Sequence, residues 1–220
     1  INLTQDGQNL DEQEGEPVGS VKISVNAPQE DVLQRHMAVG LQDGENKIVV
    51  FSQVDAKGTA TFQNVSAGKY GLRVFAQGKT YSVVRMSSKG AQVSGHEFTL
   101  TPGESQEWSV ALAEGKANIE GFVKRGGKAV PGVMVVLIPK DPELHEDLFR
   151  RDQSDLDGSF ELPNVIPGSY TIAAVDDAWG FDWSKPGLLA RYAIRGEALT
   201  IGQQMQRIVN LPEPVEVQPR

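Results

Sequence analysis

Short runs of alternating apolar and polar residues, separated by turn residues, fill most of the chain. Val21, Ile23 and Val25 alternate with polar neighbours, which is the pattern of a strand buried on one face. Residues 133–138 are instead continuously apolar, which is typical of a central strand. With 23 glycines and 12 prolines punctuating these runs, the sequence predicts an all-β protein.

The predicted strands fall into two groups, and two short segments break the β pattern. The first group is 20–25, 36–41, 47–53, 59–63, 70–76, 81–86 and 106–112. The second group is 117–124, 133–139, 149–153, 159–162, 170–175 and 206–211. Residues 141–148 predict a short helix with Pro142 at its first position, and residues 184–191 predict another helical turn.

One motif occurs twice, about 100 positions apart. Asp-Ala-Lys-Gly-Thr-Ala-Thr-Phe-Gln-Asn-Val begins at Asp55, and Asp-Leu-Asp-Gly-Ser-Phe-Glu-Leu-Pro-Asn-Val begins at Asp155. A Gly-x-Tyr sequence follows each copy, ending at Tyr70 and at Tyr170. The repeat predicts two tandem copies of one antiparallel β-sandwich domain, in which Asp-x-x-Gly forms a tight hairpin.

The repeat also predicts where the domains begin and end. We expect domain 1 at 19–114 and domain 2, with short helical insertions, at 115–212. Residues 1–18 are expected to be an N-terminal extension or the closing strand of an upstream domain, and 213–220 an extended tail. The join is so short that it predicts a restricted relative orientation of the two domains.

The amino-acid composition argues against several functional classes. The net charge of −8 and the pI near 5.0 argue against nucleic acid, whose binding depends on many basic side chains. Without cysteine the chain has no disulfides or thiolate ligands. No apolar run approaches the ~20 residues that span a bilayer, so we expect no membrane insertion. Because the chain begins with Ile1, we expect it to be a piece of a longer protein.

Several segments carry a family resemblance. They are Asp155-x-Asp157-Gly158-x-Phe160-x-Leu162, Pro167-Gly168-x-Tyr170, and Gly121-Phe122-Val123 followed by Gly127-Lys128-Ala129-Val130-Pro131-Gly132-Val133. They resemble the carboxypeptidase regulatory-like (transthyretin-like, prealbumin-like) β-sandwich family. Residues 81–85 and 183–196 resemble the C-terminal tandem repeats of large secreted acidobacterial proteins. The resemblance implies an Ig-like or transthyretin-like fold in a bacterial protein that is secreted or displayed on the cell surface.

Candidate chemistry is sparse. His36, His96 and His145 are scattered along the sequence and never spaced as metal ligands, so neither a metal site nor a cofactor is predicted. The segment from Asp155 resembles the start of a calcium loop, but Ile166 stands where such a loop needs Glu, and a hairpin turn is favoured. Nothing in the sequence indicates an enzyme.

An aromatic segment is the strongest candidate for a ligand-binding site. It contains Trp179, Phe181, Trp183 and Tyr192. Aromatic rings on a loop can stack on sugars or anchor a partner. Alternatively, they pack on Leu188 and Leu189 and close the end of the sandwich, which the family resemblance favours.

The sequence therefore predicts a non-catalytic structural or interaction module of a larger exported protein, acting in surface display or assembly. Protein partners or self-association are expected through exposed strand edges. One alternative is a carbohydrate-binding module that uses Trp179 and Trp183 on a glycan. Another is an accessory domain of an enzyme whose catalytic domain lies elsewhere.

Overall fold

A computed structural model describes most of the chain. The described residues are 17–27, 29–34, 36–45, 47–88, 91–93, 96–142, 145–183, 185–203 and 207–219. Most of the segment expected as an extension or closing strand, 1–18, therefore lies outside the described residues. Within the described residues, no helix has the length and apolar character needed to cross a membrane.

The first sandwich consists of two facing sheets. Its elements are β1 (Gly19–Asn26), α1 (Gln29–Gln34), β2 (Ala38–Gln42), β3 (Ile48–Gln53), β4 (Thr59–Val65), β5 (Gly68–Phe75), β6 (Tyr81–Ser88), β7 (Ala91–Val93), β8 (Glu97–Leu100) and β9 (Ser105–Glu114). One sheet has the order β4-β1-β9-β6-β7 and the other β3-β2-β5-β8. Ile23, Phe62, Leu41 and Leu72 are buried in the core between them.

The second sandwich repeats this plan. Its elements are β10 (Ala117–Arg125), β11 (Lys128–Ala129), β12 (Met134–Pro139), a 3-10 helix (Glu146–Leu148), β13 (Arg150–Gln153), β14 (Ser159–Val165), β15 (Gly168–Val175), α2 (Pro186–Ala193), β16 (Glu197–Ile201), β17 (Ile208–Asn210) and β18 (Val215–Gln218). Strands β14 and β17 pair with β10, and β13-β12-β15-β16 form the opposite ladder. The predicted tandem β-sandwich fold is confirmed.

The sheets are mixed rather than purely antiparallel, which corrects one part of the prediction. In each sandwich the first strand pairs parallel with the closing strand. Ser20–Asn26 lie beside Ser105–Ala111, and Asn118–Glu120 lie beside Ile208–Asn210. Parallel neighbours need a crossover connection, and the chain between them supplies it by building the rest of the sandwich.

The C-terminal segment expected as an extended tail is extended, but part of it is a strand of the second sandwich. Strand β18 pairs parallel with β10 at Val123 and with β15 at Ala174. The side chain of Val215 is buried in the core. The tail therefore joins the two ladders along one side of the sandwich.

The helical predictions are partly wrong. Of the helix predicted at 141–148, the described residues show only the 3-10 turn Glu146–Leu148, preceded by a hydrogen bond from the His145 amide to the Asp141 carbonyl at 3.1 Å. The second predicted helix is present as α2, Pro186–Ala193. Helix α1 has no counterpart among the predicted elements.

The repeated motif forms the same turn in both sandwiches. The Gly58 amide donates to the Asp55 carbonyl at 2.9 Å, and the Gly158 amide donates to the Asp155 carbonyl at 2.9 Å. Both glycines have left-handed backbone conformations, with φ of 80° and 81°. Residues other than glycine rarely adopt such angles. These turns confirm the hairpin interpretation of the motif.

The two tyrosines of the repeated motif have the same structural role in both sandwiches. The Tyr70 hydroxyl donates to the Ser66 carbonyl at 2.9 Å, and the Tyr170 hydroxyl donates to the Ile166 carbonyl at 2.6 Å. Both rings are buried, and burial raises the pKa of Tyr170 to about 12. Each tyrosine thus fills the core while its hydroxyl satisfies a carbonyl four residues earlier.

We expect Gly158→Ala to destabilise the protein more than Gly127→Ala. Both positions have φ near +80°, so each alanine costs about 1–2 kcal/mol of backbone strain. A Cβ on residue 158 would also lie 2.8 Å from the Val123 carbonyl oxygen, whereas one on residue 127 would meet nothing within 4 Å. Urea unfolding measures the difference, and equal losses would contradict the role given to the Val123 contact.

Candidate functional site at the junction of the two sandwiches

The two sandwiches are joined by two residues, Gly115 and Lys116. The Gly115 amide donates to the Thr80 carbonyl of the first sandwich at 2.9 Å. A Cβ at residue 115 would lie only 2.3 Å from the Asn164 carbonyl oxygen of the second sandwich. The connection therefore passes through a gap between the sandwiches that only glycine fits without a shift.

A charge network surrounds this connection. The Lys79 ammonium lies 2.9 Å from the Asp31 carboxylate and 3.1 Å from that of Glu114, and Lys116 lies 3.2 Å from Glu114. The hydrogen bond with Asp31 raises the pKa of Lys79 above its ordinary value. Burial, together with the nearby Asp31 carboxylate, raises the pKa of Tyr81 to about 12. The network ties α1 to the end of β9.

The second sandwich contributes the 3-10 helix and the start of β13. The Ser82 hydroxyl of β6 donates a hydrogen bond to Oδ2 of Asp147. The Arg150 guanidinium donates to the carbonyls of Asp147 and Phe149 at 2.8 Å and to that of Asn164 at 3.1 Å. Burial lowers the pKa of Arg150. Arg150 therefore fixes the backbone that presents Asp147 to the first sandwich.

A cleft of about 350 Å³ lies between the sandwiches at this point. Its first wall comes from β5 and β6 and includes Arg73, Phe75 and Tyr81. Its second wall includes Arg150 and Asn164. The cleft is lined by both sandwiches, so its shape depends on their relative position.

Two of the three histidines meet in this junction. His96 comes just before β8, and His145 comes just before the 3-10 helix that carries Asp147. One ligand atom from each of these three residues lies within 4.8 Å of the others. Two histidines that are far apart in the sequence are therefore close together in the fold, which their spacing did not indicate. His36 is exposed and is not in this cluster.

The cluster contains one buried histidine and two buried polar atoms that have no hydrogen-bond partner among the described residues. His96 is only 8% exposed, and burial lowers the pKa of its imidazole despite the nearby Asp147 carboxylate. Among the described residues, Nδ1 of His96 and Oδ1 of Asp147 are buried without a hydrogen-bond partner. Buried polar atoms of this kind are rare in native structures. No spacing signal in the sequence indicated that His96 would meet Asp147.

The predicted aromatic site is mostly buried and lies on the outer face of the β12–β15 sheet. Trp183 and Tyr192 are 6% and 2% exposed, Phe181 is half-buried, and Trp179 is 57% exposed. The Trp183 ring centroid lies 5.4 Å from that of Phe181 and 6.0 Å from that of Phe149.

This arrangement lacks the exposed, coplanar pair that the carbohydrate-binding alternative requires from Trp179 and Trp183. Of the acids in this segment, Asp176 forms an ion pair with Arg125 at 2.6 Å. The ligand-binding assignment of the four aromatic residues stays a prediction, and the geometry gives glycan binding no support.

Comparison with protein families gives one match. Residues 115–189 match the family model of the BOS complex subunit NOMO1-like second beta sandwich domain. The match covers about a third of the chain and corresponds to the second sandwich as far as Leu189 in α2, without β16, β17 and β18. It agrees with a β-sandwich fold for that region. A comparison with curated proteins gives no match.

Several solved structures align with most of the chain at low similarity. The minor pilin GBS52 of Streptococcus agalactiae is 13% identical, with a TM-score of 0.36, covering 92% of this chain and 97% of that one. A streptococcal ancillary pilin is 11% identical, with a TM-score of 0.38 and coverages of 92% and 63%. The major pilin subunit BcpA of Bacillus cereus is 10% identical, with a TM-score of 0.30 and coverages of 91% and 99%. Similarities this low give no information about function.

We expect Trp183→Ala to destabilise the second sandwich by about 3–5 kcal/mol, because it removes a buried ring from a packed cluster. Trp179→Ala, the matched control, should change the free energy of unfolding by less than about 0.5 kcal/mol, because its ring is exposed. Urea unfolding followed by circular dichroism measures both. A small loss for Trp183→Ala would contradict a packing role for this ring.

Proposed function

We propose that this chain is a non-catalytic structural module of a larger exported protein, in which two sandwich domains hold neighbouring parts at a set spacing. The observation that carries the proposal is the two-residue junction, where Gly115 fits between Thr80 and Asn164. A short, enclosed connection of this kind limits relative rotation. The charge network around Lys79 and the Ser82–Asp147 hydrogen bond add further restraints.

The proposed domains are those expected from the repeat, 19–114 and 115–212, with the second extended to Gln218 by β18. All described strand pairs lie within one or the other of these groups, which supports the division. A secreted or cell-surface location in a bacterium is proposed from the resemblance to carboxypeptidase regulatory-like repeats. An accessory role beside a catalytic domain elsewhere in the parent protein remains the alternative.

A specific surface favours protein contact as the second component of this function. Val49 and Phe51 are 48% and 67% exposed on β3, which is the edge strand of its sheet in the described structure. Gly40 lies opposite Phe51 and carries no side chain to cover it, and Phe75 on the same face is 48% exposed. Exposed apolar edges of this kind are suited to strand pairing with another chain.

We expect a single narrow distance between spin labels placed on the two sandwiches. The chain has no cysteine, so Thr61→Cys with Thr200→Cys gives one exposed label site on each sandwich. Gly115→Ala should shift or broaden the distance, because its Cβ would lie 2.3 Å from the Asn164 carbonyl oxygen. Pulsed electron spin resonance measures the distribution.

Gly44→Ala is the control for that experiment, because a Cβ at residue 44 would meet nothing within 4 Å. It should leave the distribution unchanged. A broad distribution in the chain without either alanine substitution would show that the sandwiches move independently, and the spacer function would then be wrong.

For the contact surface we expect a native mass above that of the 23.9 kDa monomer, decreasing on dilution. Phe51→Glu should shift the mass toward the monomer by placing a charge on the edge of β3. Leu156→Glu is the matched control, since Leu156 is 93% exposed on a hairpin turn of the other sandwich. Light scattering across a dilution series tests this. Equal effects of both substitutions, or a monomer throughout, would rule out self-association through β3.

A further inference from the structure

We propose that His96, His145 and Asp147 bind one divalent transition-metal ion of the Zn²⁺ class, which links the two sandwiches. The two imidazoles and the carboxylate come from both sides of the junction, and their ligand atoms lie within 4.8 Å of one another. Imidazole nitrogen and carboxylate oxygen are common protein ligands of Zn²⁺. Three protein ligands leave the fourth tetrahedral position to a water or another small ligand.

The unpaired polar atoms are the second, independent observation. Nδ1 of His96 and Oδ1 of Asp147 are buried and, in the described part of the chain, have no hydrogen-bond partner. His96 itself is only 8% exposed. Leaving such atoms without a partner costs stability, whereas coordination of a cation would satisfy both at once.

The surroundings orient the proposed ligands. The Ser82 hydroxyl donates to Oδ2 of Asp147, which leaves Oδ1 as the oxygen available to an ion. The amide of Leu148 donates to the His145 carbonyl at 3.0 Å and so fixes the backbone of the 3-10 turn. Contacts that hold the ligands from behind are a regular feature of metal sites.

Ion binding would require the three ligand atoms to move closer together beside a positively charged side chain. Tetrahedral ligands on Zn²⁺ bonds of 2.0–2.1 Å are about 3.3 Å apart, so a separation of up to 4.8 Å must close by about 1.5 Å. Side-chain rotation of His145, which is only half-buried, can supply part of this movement. The nearby Arg73 guanidinium opposes a cation, and its hydrogen bond to Oε1 of Gln42 at 2.6 Å holds the side chain in place without removing its charge. An ion held from both sides would favour the docked arrangement.

The test is calorimetric titration of the full chain with ZnCl₂ after removal of metals by a chelator. We expect one saturable site per chain. Asp147→Asn keeps an oxygen for Ser82 but loses the carboxylate charge, and it should weaken binding at least tenfold, as should His145→Asn. CaCl₂ should not bind at this site, because Ca²⁺ prefers an all-oxygen ligand set.

His36→Asn is the matched control. His36 is exposed, lies outside the cluster, and has a φ of 46°, which asparagine tolerates. This variant should bind Zn²⁺ like the parent chain. The ring resonances of His96 and His145, but not those of His36, should shift in nuclear magnetic resonance spectra on addition of Zn²⁺.

Two results would overturn the proposed ion site. Absence of saturable Zn²⁺ binding by the parent chain would overturn it, as would undiminished binding by folded Asp147→Asn and His145→Asn. The ion site rests on the same junction as the proposed spacer function, yet the two fail separately. A negative titration would leave the narrow label distance intact, whereas a broad label distance would contradict the spacer function whatever the titration gives.

Discussion

The apolar outer face of β12 is the constraint on which much of the second sandwich depends. Met134, Val136 and Ile138 point away from the main core, and exposing them would cost about 1.5–3 kcal/mol for each large side chain. Trp183 and Tyr192 cover this face, together with the apolar side of α2. The aromatic segment is therefore primarily part of a second core, built on the other side of the sheet.

Covering that face changes the rest of the topology. The segment holding the aromatic residues and α2 lies between β15 and β16, where the first sandwich has β6 and β7 between β5 and β8. The closing strand of the first sandwich is continuous, β9, and β6 pairs along it. In the second sandwich the closing strand is divided at Pro212 and Pro214, and its last part, β18, crosses to pair with β15. At the equivalent point in chain order, the second sandwich therefore has a helix where the first has the strands β6 and β7.

The junction combines close packing with polar chemistry. Gly115 brings the backbones of the two sandwiches together, and this proximity places Ser82 beside Asp147. The same approach brings His96 of one sandwich to His145 of the other. These side chains come together only where the two sandwiches meet, so the spacing of the sandwiches and the proposed ion binding depend on the same few residues.

The sequence by itself determined the local features. Turns such as Asp155–Gly158 could be recognised because they depend on a few consecutive residues and on the backbone freedom of glycine. Alternating apolar positions likewise located strands such as β1. Tertiary structure decided which strands pair in parallel, that β18 joins the second sandwich, and that Trp183 is buried. It also decided the meeting of His96, His145 and Asp147, because contacts between residues about 50 positions apart depend on how the sandwiches pack.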